Sequence, residues 1–453
     1  MATTVKNDAR TIFGWAMYDW ANSAYITAGA LIFSIYFADT VFPEEGIRLL
    51  GLDLDGESFW SLIVGTGAIV LFIVMPVLGA AADFSNSKRK LLRVFAFGGA
   101  GFAALLAIPT SGDVPLAILL ALGAQFGFVA ANVMYDGFLP EIATDDQLDR
   151  VSAKGFALGY IGGGLHLALS LGLLSFHESF GLAETDAQRL VVLSSGIWWA
   201  AFSIFSLRRL NDVGEAGELP EEYAGGSRWL AYARLGLDRT IHTTKQLPAF
   251  RQLMLFLIAF LIYNDGIQTI ISLSPVYASE TLDLSAETIA AVFLVIQIVA
   301  FFGALAFGRI SDRIGTKGAI LASLVVWAGL TVGGYFLPEG EVLPFLALGV
   351  GVGFVLGGSQ ALSRSLYASM IPEEASAEFF GFFSVFRRLS AILGPYLFAI
   401  IDSATGSARN AILAFIVFFV VGAIILSRVD VEKARADKER WSFHGADADI
   451  VED

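Results

Sequence analysis

Cysteine is absent from the 453-residue sequence. Its absence excludes disulfide bonds, thiolate metal sites and thiol nucleophiles. The sequence also lacks a G-x-x-x-x-G-K-S/T phosphate loop, and it contains no H-E-x-x-H or G-x-S-x-G motif. We therefore expect no enzyme activity, no metal, no cofactor and no direct use of ATP.

Charged residues are scarce as well. They make up 16% of the chain, whereas apolar residues make up 56% and the mean hydropathy is +0.67. Apolar runs of about 18 residues or more, long enough to cross a bilayer as a helix, recur along almost the whole chain. These runs predict an all-α polytopic membrane protein with twelve transmembrane helices in two six-helix bundles. The predicted helices lie near 12–38, 59–82, 91–110, 114–137, 153–175, 189–209, 251–277, 287–308, 318–337, 343–365, 378–401 and 410–428.

The helix spacing predicts four regions. We expect an N-terminal bundle over 1–210, a cytoplasmic central loop over 211–248, a C-terminal bundle over 249–428 and a cytoplasmic tail over 429–453. The loop pattern predicts either a helix along the inner leaflet or a structured linker. If the central loop forms a helix, the apolar residues on one face of that helix are Trp229, Leu230, Ala233, Leu237 and Ile241. The tail beyond Arg428 is charged, and we expect disorder after its first turns.

Lysine and arginine predict the orientation. One set of alternating connections holds only Arg48, Arg189 and Arg409 of the 29 basic residues, so these connections should face outside. The opposite set includes Lys88-Arg89-Lys90 and Arg208-Arg209. Both termini are therefore predicted to be cytoplasmic, in a protein of the plasma membrane. The net charge of −14 argues against a nucleic-acid partner.

The two halves repeat a loop motif. Gly79-x-x-x-Asp83 followed by Lys88-Arg89-Lys90 closes the second helix, and Gly308-x-x-x-Asp312-Arg313-x-Gly315-x-Lys317 closes the eighth. The second copy resembles the loop signature of the major facilitator superfamily (MFS), while the first has Phe84 and Asn86 where Arg and Gly are usual. The resemblance implies two bundles with a substrate site between them, and Asp83, Lys88, Asp312, Arg313 and Lys317 as cytoplasmic latches.

Four further segments carry a narrower resemblance. They are Tyr18-Asp19-Trp20-Ala21-Asn22-Ser23-Ala24-Tyr25, Tyr263-Asn264-Asp265-Gly266-Ile267-Gln268-Thr269, Gly357-Gly358-Ser359-Gln360-Ala361-Leu362-Ser363-Arg364-Ser365 and Glu378-Phe379-Phe380-Gly381-Phe382-Phe383. They resemble the family of the fungal vacuolar amino-acid effluxers of autophagy and many uncharacterised prokaryotic permeases. This resemblance implies a secondary carrier of the export type, with amino acids as the implied substrates.

Asp19 is the first charged residue along the chain that lies inside a predicted membrane-spanning helix. It shares a helical face with Asn22 and lies roughly 10 Å from the cytoplasmic edge at about 1.5 Å per residue. An ionised carboxylate at that depth needs a partner or a water-filled cavity. Asp19 therefore predicts either a proton carrier or an ion pair with an arginine of the other half.

Helix seven offers a second polar cluster. Asp265 lies four residues before Thr269 and three before Gln268, and Asn264 is adjacent to it. A carboxylate among polar neighbours at this depth favours a cavity wall that binds a substrate ammonium or a proton. The alternative is a hydrogen-bond network that packs the helices and touches no ligand.

Arg387 and Arg388 lie roughly 14 Å into helix eleven, too deep for easy snorkelling. Adjacent positions point about 100° apart, so we expect one guanidinium to face the cavity. There it could hold a carboxylate or phosphate with two hydrogen bonds, and with Asp265 opposite it would suit an amino-acid zwitterion. The alternative is that an arginine neutralises Asp19 or Asp265.

Helices four and ten add polar stripes. Asn132 with Asp136 and Gln360 with Arg364 each recur at a spacing of four residues, on helices that line the pathway in the MFS. Asn132 and Gln360 are therefore predicted pathway residues. Asp136 and Arg364 lie nearer the cytoplasmic ends, which favours a gate.

These patterns together predict a monomeric, proton-coupled carrier that exports a small polar solute, such as an amino acid, by alternating access. Its expected partners are the solute, protons and the lipid bilayer. Two alternatives remain open: a proton-coupled antiporter for drugs or hydrophobic solutes, and a membrane sensor that does not transport.

Overall fold

The structure is a computed structural model that describes residues 5–43, 45–49, 52–212, 217, 223, 227–439 and 441. Nearly all of these residues are helical, because a backbone in hydrocarbon must satisfy its hydrogen bonds internally. The helices are α1 (Ala9–Val41), α2 (Gly56–Phe84), α3 (Lys88–Leu105), α4 (Val114–Ile142), α5 (Leu148–Ser175), α6 (Glu184–Leu207), α7 (Arg228–Gln246), α8 (Arg251–Thr281), α9 (Ala286–Ile314), α10 (Thr316–Tyr335), α11 (Val342–Met370), α12 (Ser376–Leu389), α13 (Leu393–Thr405), α14 (Ala408–Ser427) and α15 (Val431–Lys438). A short antiparallel hairpin, β1 (Ile47–Leu49) and β2 (Leu52–Leu54), follows α1.

Within the described residues, eleven stretches are long and apolar enough to cross a membrane, with α12 and α13 forming one of them. The 18-residue α3 completes a set of twelve. Four basic residues in its first turns dilute its apolar character, which explains why it is the weakest of the twelve. The predicted count therefore agrees with the structure.

The spans pack as two corresponding sets. In the first set, α1 packs against α5 and α6, and α3 packs against α4 and α6. In the second set, α8 packs against α14, and α10 packs against α11 and α14. Between the sets, α2 packs against α12 and α5 against α9. We call α1–α6 the first bundle and α8–α14 the second bundle.

Both ends of the described chain lie at the same end of the molecule, which we call the terminal end. Lys6, before α1, forms an ion pair with Glu373, before α12. Lys438, in α15, forms one with Asp145, between α4 and α5. Residues 442–453, for which composition predicts disorder, lie outside the described residues.

Among the differences between the predicted and the observed helices, two concern the third and the eleventh spans. The third helix begins at Lys88, earlier than expected, because the basic residues form its first turn. The eleventh span is not one continuous helix, since turns at 390–392 separate α12 from α13. At this break, the side chain of Asp265 in α8 accepts hydrogen bonds from the backbone N–H groups of Leu393 and Gly394.

The central loop contains the helix α7, which packs against α2. Leu230, Leu237 and Ile241 of the predicted apolar face are exposed, while Leu235 is buried. The side chain of Trp229 lies outside the described residues. An exposed apolar stripe on a helix at the membrane edge fits a position along a leaflet, which is one of the two predicted alternatives.

Close helix contact between α2 and α12 depends on glycine. We expect Gly381→Ala to lower the free energy of unfolding by about 1–3 kcal/mol, because the added methyl carbon would lie 2.6 Å from Pro76 Cα and 2.8 Å from the Met75 carbonyl oxygen. Gly98→Ala is the matched control, since no atom lies within 4 Å of its added carbon. Thermal unfolding in detergent measures both variants, and equal midpoints would contradict this role of Gly381.

Candidate functional site

Arg364 of α11 joins the two bundles through an ion cluster. Its Nη1 lies 3.3 Å from Asp19 Oδ2 in α1 and 3.0 Å from Asp136 Oδ1 in α4. The side chains are 4%, 14% and 10% exposed, respectively. Asp19 thus forms an ion pair with an arginine of the other half, which is the second of the two alternatives given for it in the sequence analysis. We call Asp19, Asp136 and Arg364 the gate cluster.

Further contacts hold the Arg364 guanidinium in place. Its Nε donates to Ser152 Oγ and its Nη2 to the Ser152 carbonyl oxygen, both at 3.0 Å. The guanidinium carbon lies 4.2 Å from the ring centre of Phe156 and 4.9 Å from that of Trp15. These ring contacts favour a cation in a site with little water. The gate cluster is therefore a preorganised contact between the bundles.

Tyr135 and Gly155 complete the surroundings of Asp19. The Tyr135 hydroxyl donates to Asp19 Oδ2 at 2.8 Å, and its ring stacks on Trp15. A methyl group on Gly155 would lie 2.8 Å from Asp19 Oδ2 and 2.9 Å from Arg364 Nη2. Sequence reasoning missed Ser152, Tyr135 and Gly155. The only available signal was that Trp15 and Asp19 share a helical face, which indicates that the two side chains are close to each other.

A second cluster lies closer to the terminal end. Lys88 forms ion pairs with Asp83, at 2.8 Å, and with Glu141. Asp83 also accepts the backbone N–H groups of Ala377 and Glu378, in the first turn of α12, at 3.2 and 2.8 Å. A carboxylate is favoured there by the unpaired N–H groups and the helix dipole. Lys88 Nζ also donates to Ser376 Oγ of α12 at 3.0 Å, so both Asp83 and Lys88 contact the other bundle. Glu141 was not foreseen.

The linker helix reaches this second cluster. Arg239 of α7 stacks over Phe84 at the end of α2 and lies within electrostatic range of Glu378 and Asp83. Burial lowers the pKa of Arg239 to about 10, which leaves the guanidinium charged at neutral pH. The linker therefore adds a positive charge to the terminal end of the interface.

The second copy of the loop motif behaves differently. Asp312 forms an ion pair with Arg150 of the first bundle at 2.8 Å, which agrees with a latch. Lys317 instead donates to the carbonyl oxygens of Ser427 and Val429 within its own bundle. Arg313 is exposed and makes no hydrogen bond or ion pair with the residues that the structure describes. Lys317 and Arg313 therefore do not latch the bundles here, which corrects that expectation.

All these contacts are confined to the terminal half of the interface. The bond farthest from the terminal end along α5 and α11 joins the Tyr160 hydroxyl to Gln360 Oε1, at 3.0 Å. Between this bond and the opposite end, no hydrogen bond or ion pair among the described residues joins the bundles. The terminal end is closed in this state.

Asp265 occupies a dry position within the second bundle. Its side chain accepts the backbone N–H groups of Leu393 and Gly394 at 3.0 and 2.8 Å, and it also accepts the Thr269 hydroxyl at 3.3 Å. Its exposed fraction is 0%. Asp265 therefore caps the N-terminus of α13 at the break in the eleventh span, which matches the packing alternative of the sequence analysis.

The neighbours of Asp265 tie α8 to the same break. Asn264 Nδ2 donates to Ser390 Oγ. A Cβ atom on Gly394 would collide with Thr269 Oγ1 and lie 2.9 Å from Asp265 Oδ1, so glycine at 394 permits the capping contact. Asn264 and Asp265 thus position the break rather than line an open surface.

Arg387 and Arg388 form the last turn of α12, directly before the break. Arg387 is exposed and Arg388 is partly buried. Neither guanidinium forms a hydrogen bond or an ion pair with any described residue, so the alternative that one of them neutralises Asp19 or Asp265 is wrong. The helix that carries both arginines, α12, packs against α2 and α4 of the first bundle.

The remaining pathway candidates are amides. Asn22 Nδ2 donates to Asn132 Oδ1 at 2.8 Å, so these two residues are partners within the first bundle. Gln268 is partly buried, and its side chain makes no hydrogen bond with the described residues. Gln268 and the two arginines are therefore polar groups of the spanning region without a hydrogen-bond partner among the described residues.

The gate and the polar groups beyond it occur in a chain similar to known transporters. A family model described as "Vacuole effluxer Atg22 like" matches residues 7–439. The Bacillus subtilis protein named uncharacterized MFS-type transporter YxiO is 30% identical over 421 residues, which cover 92% of this chain and 94% of that protein. Autophagy-related protein 22 of Pyricularia oryzae is 24% identical, with coverages of 96% and 78%.

Solved structures show the same fold. The MFS transporter FucP in the outward conformation superposes with a TM-score of 0.65 at 12% identity, covering 93% of this chain and 98% of FucP. The proton:xylose symporter XylE gives a TM-score of 0.64 at 15% identity, covering 94% and 98%. These likenesses confirm the predicted MFS fold of two six-helix bundles.

The gate cluster predicts unequal effects of its three members. Arg364→Gln leaves two carboxylates facing each other, whereas Asp136→Asn leaves one matched pair. We expect Arg364→Gln to destabilise the closed terminal end, relative to the open one, by about 3 kcal/mol, the usual cost of an unpaired buried charge. Asp136→Asn should destabilise the closed end less. Because the chain lacks cysteine, Ala361→Cys, buried at this interface, supplies a single probe whose labelling rate from the terminal side reports opening. Equal labelling in both variants would contradict the charge balance.

The capping role of Asp265 predicts a local effect. Asp265→Asn keeps one acceptor oxygen for two backbone N–H groups, so we expect it to destabilise the start of α13 by about 1 kcal/mol. Hydrogen exchange should then accelerate in peptides that contain Leu393 and Gly394. Thr269→Val is the control, since it removes only the long hydroxyl contact. Unchanged exchange in Asp265→Asn would exclude the cap.

Proposed function

The chain belongs to the Atg22-like vacuole effluxer family of MFS transporters, and we propose that it is a secondary-active carrier that moves a small polar solute by alternating access. Amino acids are the first solute class to test, because a carboxylate fits a guanidinium. We propose export as the direction, with the terminal end in the cytoplasm of a plasma-membrane protein that works as a monomer.

One observation carries this proposal. The polar bonds between the bundles are concentrated at the terminal end, whereas the side chains of Arg387, Arg388 and Gln268 have no hydrogen-bond partner in the part of the chain that the structure describes. A carrier needs both features: a gate that closes one side and unsatisfied polar groups that a solute can satisfy. If the bundles rock about the contacts of α2 with α12 and α5 with α9, the gate opens and the other side closes.

Proton coupling follows from the charge balance of the gate. Asp19 and Asp136 belong to the first bundle and Arg364 to the second, so opening separates one positive charge from two negative charges. Unpaired charges within the membrane cost several kcal/mol. A proton on a carboxylate reduces this cost for the first bundle. We assign the coupling proton to Asp19, which also accepts the Tyr135 hydroxyl.

Efflux from proteoliposomes tests the proposal. Vesicles are loaded with a labelled amino-acid mixture, and efflux is followed with and without a pH gradient. We expect the gradient to accelerate efflux, and we expect Asp19→Asn to lower the gradient-driven rate at least about tenfold, or about 1.4 kcal/mol in the barrier. The rate of solute exchange without net proton movement should change much less in Asp19→Asn, because this variant keeps the solute site.

Asp53→Asn is the matched control, since Asp53 lies in the exposed hairpin. Equal efflux with and without the gradient would remove proton coupling from the proposal. Flux of hydrophobic drugs in place of polar solutes would favour the antiporter alternative. A failure to move any solute would favour the sensor.

A further inference from the structure

We propose that a groove between the start of α1 and the end of α6 binds the headgroup of an anionic phospholipid from the leaflet at the terminal end. The groove has a volume of about 340 Å³. Its lining combines three arginines with an apolar floor and consists of Arg10, Ala201, Ile204, Phe205, Arg208 and Arg209. We call it the arginine groove. It belongs to the first bundle alone, so the inference does not depend on the solute or on the direction of transport.

The floor of the arginine groove continues an apolar stripe of α6. This helix packs against α1 and α3 of its own bundle, and its exposed residues recur at spacings of three and four, which places them on one face: Leu193, Ile197, Ala201 and Ile204. Arg208 follows four residues later on the same face. An exposed apolar face of a spanning helix contacts acyl chains. A lipid whose chains lie along this stripe would therefore bring its headgroup to the groove.

Arg209 is held over the floor by the protein itself. Its Nη1 donates to the Phe205 carbonyl oxygen at 3.0 Å, and its guanidinium carbon lies 3.5 Å from the centre of the Phe205 ring. Gly14 of α1 leaves room for this side chain, because a Cβ atom there would lie 2.5 Å from Arg209 Cβ and 2.9 Å from its Cδ. A guanidinium group has several N–H donors, and Arg209 uses only one of its own among the described residues. The others can serve a ligand.

The other two arginines are not paired within the protein. Arg10 and Arg208 are exposed, and neither makes a hydrogen bond or ion pair with the residues that the structure describes. The carboxylates closest in sequence have different partners. Asp8 caps α1 by accepting the Thr11 N–H at 2.8 Å, and Asp212 accepts a backbone N–H in the first turn of α3 at 2.6 Å. The dipole at the start of α1 also disfavours a cation at Arg10, so an anion in the groove would be favoured twice.

A phosphodiester fits this arrangement. Guanidinium groups bind phosphate oxygens through parallel hydrogen bonds, and basic residues at a membrane surface attract anionic lipids. A zwitterionic headgroup also carries a cation, which three guanidinium groups would repel. Basic residues at helix ends are common because they set the orientation of a membrane protein. These three differ in that they line one groove above an apolar floor, which points to a lipid with a net negative charge.

The arginine groove should persist when the bundles rock, because both of its helices belong to the same bundle. The rings of Phe13 in α1 and Phe205 at the end of α6 pack edge to face with their centres 5.6 Å apart. A lipid bound here would therefore join the first helix to the sixth in either state of the gate.

Native mass spectrometry of the full-length protein in detergent tests the proposal. Phosphatidylglycerol and phosphatidylcholine with identical acyl chains are titrated separately, and glycerol 3-phosphate is titrated as a headgroup without chains. We expect the dissociation constant of phosphatidylglycerol to be at least about tenfold below that of phosphatidylcholine, equivalent to about 1.4 kcal/mol. Glycerol 3-phosphate should bind at least about tenfold more weakly than phosphatidylglycerol, because it lacks contact with the apolar floor.

Variants then assign the binding to the arginine groove. Arg10→Gln combined with Arg208→Gln should raise the dissociation constant of phosphatidylglycerol at least about tenfold and leave that of phosphatidylcholine unchanged, which also shows that the variant is folded. Arg309→Gln is the matched control. Arg309 is an exposed arginine of α9 that also donates to the carbonyl oxygen four residues before it, at 3.2 Å, and it lies outside the groove.

Three results would overturn the proposal. Equal affinity for the two lipids would remove the charge preference. Glycerol 3-phosphate that binds as tightly as phosphatidylglycerol would make the groove a site for a soluble phosphate instead of a lipid. Phosphatidylglycerol binding that the double variant leaves intact, or that Arg309→Gln weakens to the same extent, would assign the binding to general surface charge.

Discussion

A charge inside a membrane protein must be compensated, and in this chain one guanidinium compensates two carboxylates. Arg364 lies in the second bundle, while Asp19 and Asp136 lie in the first. Its cage of Ser152, Phe156 and Trp15 comes from α5 and α1 of the first bundle, and Arg364 enters this cage only when the terminal end is closed. Closure thus depends on an electrostatic contact that is lost when the bundles separate. This dependence explains why the polar bonds of the interface concentrate at one end.

The chain handles its other buried charges by different means. Asp265 is satisfied by backbone N–H groups at the start of α13, and Asp83 is satisfied in the same manner at the start of α12. Two carboxylates from α8 and α2 therefore hold the two halves of the eleventh span. Arg387 and Arg388, at the end of the first half, lie where the helix dipole favours cations. One interrupted span thus contains both a fixed structural anchor and two cations without an ion-pair partner among the described residues.

Much of this architecture could be predicted from the sequence, because helix length, amphipathic faces and basic connections follow from local patterns. The depth of Asp19, Asp265 and Arg387 also follows from simple helix geometry. Their partners do not, since Asp19 and Arg364 are 345 positions apart and face each other only through tertiary packing. Asp265 illustrates the difference most clearly. Its polar neighbours resemble a cavity wall in sequence, but the partners that enclose it are backbone N–H groups, which any residue could supply.

Sequence reasoning also missed residues whose contribution is geometric. Gly155 leaves room for Asp19 and Arg364 to meet, and Gly394 leaves room for Asp265 to reach its backbone donors. Glycine is common in spanning helices, so a single glycine carries little information before its neighbours are known. The break at 390–392 was hidden for a related reason, because its residues are apolar or small and do not interrupt the hydropathy of the span.

The linker helix α7 contacts one bundle and leads directly into the other. It is continuous in chain with the start of α8, packs against α2 of the other bundle, and leaves Leu230, Leu237 and Ile241 uncovered. If this apolar stripe lies along a leaflet, a relative rotation of the bundles must move it against lipid. The rate of that rotation would then depend on the viscosity and thickness of one leaflet.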